Sequence, residues 1–161
     1  MMTSARFALI SMVILLAGGC GPDDSATVPR AQPVEATFAD VGDFVVHYST
    51  QMTDQLTPEI AKAYGIVRSN NRVMLNVSVV RESDGASVPA EVQVRTVNLT
   101  GQLKSLTMQR HDEPGEPPAI YYIGETTVAN QETLKFEIRV RPEGSPTASD
   151  VVFNRQFYTS N

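Results

Sequence analysis

The chain has 161 residues and a mass of 17.6 kDa, with 13 basic and 18 acidic side chains, a net charge of −5, no Trp and one Cys. That length suits one ordinary domain with its ends, and a single cysteine excludes an intramolecular disulfide and a thiolate zinc cluster. An acidic surface has no field to neutralise a phosphate backbone, so no nucleic-acid partner is expected.

Residues 1–20 carry one charge, Arg6, followed by an apolar run from Phe7 to Ala17, the small pair Gly18-Gly19, and Cys20. A positive start, a short apolar run and small residues before a cut are the parts of a secretory signal. A membrane-spanning helix needs about 17 to 25 apolar residues, so the pattern predicts a signal peptide over 1–19 rather than a span. Leu15-Leu16-Ala17-Gly18-Gly19-Cys20 resembles a bacterial lipobox, with Ala17 where Leu is commonest. The resemblance implies that the Cys20 thiol is diacylated, that the chain is cut before it, and that the new amino terminus is acylated. Each buried methylene contributes about 0.8 kcal/mol and two chains make a stable anchor. The expected protein is therefore periplasmic and held to a membrane through lipidated Cys20. Gly21, rather than Asp, directly follows the cysteine and favours the outer over the inner membrane. Residues 20–35 contain Pro22, Pro29 and Pro33 with almost no large apolar side chain. They read as a lipidated terminus and flexible linker, since such a segment buries too little surface to offset its ordering entropy.

Residues 36–161 read as one β domain. The strands expected in chain order are 42–51, 73–79, 92–96, 104–110, 119–128, 133–141 and 150–159. Val73, Leu75, Val77 and Val79 alternate with Asn76 and Ser78, and Val92 and Val94 alternate with Gln93 and Arg95. Such alternation marks strands with one buried face. An Asp84-Gly85 turn signal between those two runs predicts that they pair as a hairpin. One segment breaks the pattern. Thr57 can cap a helix, Pro58 suits its first position, Glu59 its first turn and Gly65 its end. A two-turn helix is expected there, with Ile60, Ala61 and Tyr64 turned towards the sheets. Seven short strands at this spacing predict a mainly β fold, a two-layer antiparallel immunoglobulin-like sandwich with one short helix.

Candidates for chemistry are few. His47 and His111 are the only side chains with an ordinary pKa near neutrality, and no Gly-x-Ser-x-Gly turn accompanies them. A hydrolase using His47 or His111 is the weakest reading. Met108 and His111, with His47 or Met52, could offer thioether and imidazole to copper; the plainer reading makes each Met a core filler. Arg68 and Arg72 bracket two asparagines and could grip a carboxylate or phosphate bidentately, or could bond neighbouring loops and fix the helix to the sheet. Asn76-Val77-Ser78 and Asn98-Leu99-Thr100 match a glycosylation pattern and read as ordinary strand residues.

Val46-His47-Tyr48, the run from Leu56 to Ala61, Ala63-Tyr64-Gly65-Ile66, Arg68-Ser69 and the run from Asn71 to Val79 resemble the bacterial domain-of-unknown-function family 4426. The resemblance implies an envelope protein with one domain after a signal, and no activity comes with it. His47, Tyr64, Arg68 and Arg72 are the most family-like residues and the candidate binding residues. The expected role is a non-enzymatic envelope module that needs no cofactor and binds another envelope protein or a small ligand. Copper binding stands as the alternative. Cells fed labelled palmitate are expected to incorporate label into the full chain and to lose it entirely in Cys20→Ser; label retained in that variant would refute the anchor.

Overall fold

Strands with one apolar face bury it when two sheets meet face to face, and this chain does so with nine strands among the described residues. The computed structural model describes residues 36–104 and 106–159; the expected signal peptide, Cys20 and the linker to residue 35 lie outside them. The strands are β1 (Phe38–Val41), β2 (Phe44–Met52), β3 (Arg72–Arg81), β4 (Ala90–Asn98), β5 (Leu103–Lys104), β6 (Gln109–Glu113), β7 (Ala119–Thr127), β8 (Glu132–Pro142) and β9 (Ser149–Phe157). One sheet has the order β1-β2-β3-β7-β6 and the other β5-β4-β8-β9, with all neighbours antiparallel. Lettered from β2, these are A-B-E-D facing C′-C-F-G, the immunoglobulin connectivity, with β1 added to the outer edge of A. The expected immunoglobulin-like sandwich is the observed fold.

The core lies between the sheets. Val46, Val73, Leu75, Val77 and Val79 of the five-stranded sheet are fully buried, as are Leu134, Phe136, Ile138 and Val140 of the four-stranded one. The Phe153 ring stacks on Tyr48 at 4.5 Å and on Phe136 at 4.8 Å, so a column of rings runs from one sheet to the other. Phe157 closes it edge-on against Phe136.

Three expectations need correction. β3 and β4 do not pair. An Asp84-Gly85 turn does form, with Gly85 at φ +68° and a single bridge between Val80 and Ser87, but the chain then crosses to the other sheet through Val88 and Pro89. Both runs have an apolar face, and laying those faces against each other removes more apolar surface from water than setting them side by side. The 104–110 strand is instead a crossing. β5 ends at Lys104, Leu106 and Met108 pack into the core, and β6 begins at Gln109 in the opposite sheet. Gly124 allows this passage, because a Cβ there would lie 2.8 Å from the Thr107 carbonyl oxygen and 2.8 Å from the Met108 sulfur. Finally, the 42–51 strand begins with a hairpin: Val41 pairs with Phe44 across Gly42-Asp43, and β1 precedes it. Gly42, at φ +61°, supplies the positive dihedral that a two-residue hairpin turn requires.

At one end of the sandwich a polar network replaces apolar packing. The Asn98 side chain accepts from the Thr100 and Gln102 amides, shaping the β4–β5 turn, and donates to Glu132. Glu132 also accepts from the Ala129 amide and from Lys104, whose side chain is only 16 % exposed. Burial pushes the Glu132 carboxyl up, but the bonds from Asn98, Ala129 and Lys104 together outweigh it and hold the group below its ordinary value of 4.5. A carboxyl depressed on folding stabilises fully above its unfolded pKa and loses that contribution as pH falls through the folded one. Acid titration of unfolding is expected to show wild type losing stability below about pH 4.5, with Glu132→Gln less stable at neutral pH and flatter through the acid range. Parallel curves would refute this role.

Candidate functional site

The chain between β2 and β3 leaves the sheet and returns beside itself, since Met52 pairs with Val73. A short 3-10 turn (Thr53–Gln55) is followed by α1 (Pro58–Ala63), with Thr57 capping through a 3.3 Å bond from the Ile60 amide. Gly65, at φ +66°, ends the helix. The neck is pinned by Thr53, which is fully buried: its hydroxyl donates to the Ser69 carbonyl at 3.1 Å and accepts from the Ser69 amide at 2.9 Å. Arg68 donates to the Asp54 carbonyl at 2.8 Å, and the Asn71 carbonyl accepts from the Val128 amide.

This excursion lies on the outer face of the five-stranded sheet. Leu56 and Ala61 bury against Met74 and Ile123, flanked by Tyr64, Ile66 and Tyr121. These sheet residues alternate with the inward Leu75 and Gly124, so the sheet carries a second small core on its far side. Ala61 and Tyr64 face the sheet as expected, while Ile60 remains 43 % exposed and Leu56 takes its place.

Strand register places the polar side chains of this face around Ile123. Asn76 stands opposite it on β3 and Gln109 opposite it on β6; Glu125 is two residues along β7, and His111 lies opposite Tyr121. Asn76 Oδ1, His111 Nε2 and Glu125 Oε2 are buried without a hydrogen-bond partner among the described residues. A buried polar atom left unpaired costs about 1 to 3 kcal/mol, so three around one residue mark a place of particular character. Tyr64 covers His111 edge-on, ring centres 5.0 Å apart, and its hydroxyl donates to Glu113. Arg72 pairs with Glu125 Oε1 at 3.1 Å. Between the end of α1 and strands β6 and β7 a cavity of 280 Å³ opens, walled by Tyr64, Ile66, Thr107, Gln109, Ile123 and Glu125.

The chain matches the family profile of DUF4426, a domain of unknown function, over residues 38–160. It belongs to that family. A solved DUF4426 family protein from Pseudomonas aeruginosa PAO1 has 32% identical residues and a TM-score of 0.67, over 77% of this chain and 95% of that one. A comparison with curated proteins finds no match.

Of the residues most like DUF4426 proteins, Tyr64 walls the cavity and Arg72 holds a second wall residue, Glu125. Arg68 pins the neck from outside. Each guanidinium has a partner within the domain, Arg68 a loop carbonyl and Arg72 a carboxylate of the neighbouring strand β7. His47 is exposed on the same outer face, where Phe38 leans on it at 6.3 Å. The structure does not bring His47, Met108 and His111 together. His47 pairs with Ser78, and one step past the Val77–Tyr122 pair that row reaches Tyr121 and then His111. Three strand spacings separate the imidazoles, about 14 Å. Met108 and Met52 pack into the main core on the opposite side of the sheet. Among the described residues no group of three His, Cys, Asp or Glu is placed to hold a metal.

Glu125 and Gln109 were missed in the sequence. Glu125 had a signal, as the only charge in β7; Gln109 had none, because its face depends on pairing with Ile123. Thr53→Val is expected to leave the fold intact but speed amide hydrogen exchange over residues 57–66 while β3 stays protected, since it strips both partners from Ser69. Thr53→Ser should restore protection; unchanged exchange in Thr53→Val would show that the neck is held elsewhere.

Proposed function

We propose that this DUF4426 protein is a lipid-anchored periplasmic module, held to the outer membrane through Cys20, that binds a small ligand beneath the 53–71 excursion and performs no chemistry on it. The observation that carries the reading is the 280 Å³ cavity walled by the family-like Tyr64 and by Glu125, whose Oε2 is buried without a hydrogen-bond partner among the described residues. Concave, mostly apolar spaces with a few convergent polar groups are the usual form of a small-molecule site. The anchor is supported by the apolar run and the small residues before Cys20.

The non-catalytic part is supported by where the histidines lie. Among the described residues neither hydrogen-bonds to a hydroxyl or a carboxylate, and His111 is shielded by Tyr64. A general base must reach the proton it takes. An envelope protein as the occupant is the competing form of the same reading, with the outer face of the five-stranded sheet as its surface.

The test is thermal unfolding of the full chain with the small-molecule fraction of an envelope extract. A ligand that binds only the folded state raises Tm, and the rise should vanish in Tyr64→Ala. A rise that persists in that variant, or no rise at all, overturns the site. Turnover of ester, peptide or phosphate substrates that His47→Ala or His111→Ala abolishes overturns the non-catalytic reading.

A further inference from the structure

The cavity walls specify a ligand class. Thr107 and Gln109 are exposed and make no side-chain hydrogen bond among the described residues. A hydroxyl and an amide each both donate and accept. Tyr64 commits its hydroxyl to Glu113, so it offers the cavity its ring. Ile66 and Ile123 supply an apolar floor. Glu125, also in the wall, has its charge balanced by Arg72 through Oε1, while its Oε2 stays without a partner among the described residues and can accept from a hydroxyl.

Charge pairing within the wall removes the need for a charged ligand, and the two uncommitted polar side chains would be stripped of water by a purely apolar one. What fits is a neutral molecule with several hydroxyls that both give and take hydrogen bonds, together with an apolar C–H face to lie against an aromatic ring. At 280 Å³ the space is just under the usual range for small-molecule pockets, about 300 to 1,000 Å³. It therefore suits one six-membered ring.

We infer that the cavity between Tyr64 and Gln109 is a saccharide site that seats a single neutral sugar ring, with Tyr64 as the stacking wall and Thr107 and Gln109 as the hydroxyl-reading groups. The inference rests on the binding reading above and names its ligand. The sugar comes either free or as the end of a glycan chain, and both present the same ring.

The experiment is a heteronuclear NMR titration of the full chain with glucose, galactose, N-acetylglucosamine and the N-acetylglucosamine disaccharide. Putrescine and butyrate serve as charged controls of similar size. At least one sugar is expected to shift the resonances of Tyr64, Gln109 and Ile123, while the controls do not. Gln109→Leu should weaken binding about three- to tenfold, the loss of one neutral hydrogen bond. Tyr64→Phe should keep binding and Tyr64→Ala should abolish it, with unchanged spectra elsewhere showing that both variants fold. Tighter binding of the disaccharide assigns a glycan end, and equal binding a free sugar. No shift with any sugar, or shifts that survive Tyr64→Ala, overturns the saccharide site. If putrescine or butyrate shifts those residues and no sugar does, the binding face stands and the ligand class falls.

Discussion

The column of rings from Tyr48 through Phe153 to Phe136 ties the two sheets together. Stacked aromatic pairs add about 0.5 to 1.5 kcal/mol beyond their buried area, but their larger effect is geometric. A ring of β2 meets a ring of β9, and through it one of β8, only when the two sheets face each other in one alignment. The valines of β3 and the aliphatic residues of β8 then fill the remaining space. The outer faces of both sheets are thereby left outside the main core.

The five-stranded sheet is used on both sides. Its inner face is ordinary core, whereas its outer face carries Met74 and Ile123, which would be exposed apolar surface without the 53–71 excursion. A helix of six residues cannot hold itself together in water. It persists here because the neck at Thr53 closes the loop and because the sheet needs a cover. That mutual dependence produces a shallow space at the end of the helix, where Tyr64 and Ile66 do not fill the room above Ile123. The free edges are differently managed. β5 has two residues, β1 has four, β6 is polar throughout, and β9 carries Arg155 at a position of inward parity. Short or charged edges resist pairing with another chain, so the face is the better place for recognition than an edge.

Much of this was legible locally. The helix from Thr57 to Gly65 was readable because capping, first-turn proline and terminal glycine act within a few residues. Long strands such as β3 and β8 were readable because a period of two survives any partner. Less was legible where the chain changes layers. Leu106 and Met108 alternate like strand residues, yet they alternate because the chain passes through the core on its way between sheets. The Asp84-Gly85 turn was correctly placed, but the path of the chain beyond a turn depends on which burial wins, and Pro89 leads it away.

The sequence by itself determined the alternation, the helix, the apolar run before Cys20 and the family, because each is a pattern in contiguous residues. Only the tertiary structure decided strand order, the separation of His47 from His111, and the meeting of Tyr64, Gln109, Ile123 and Glu125. Those four residues come from three segments of the chain, and their proximity depends on antiparallel register. A shift of one residue in that register would turn each of the strand residues to the opposite face.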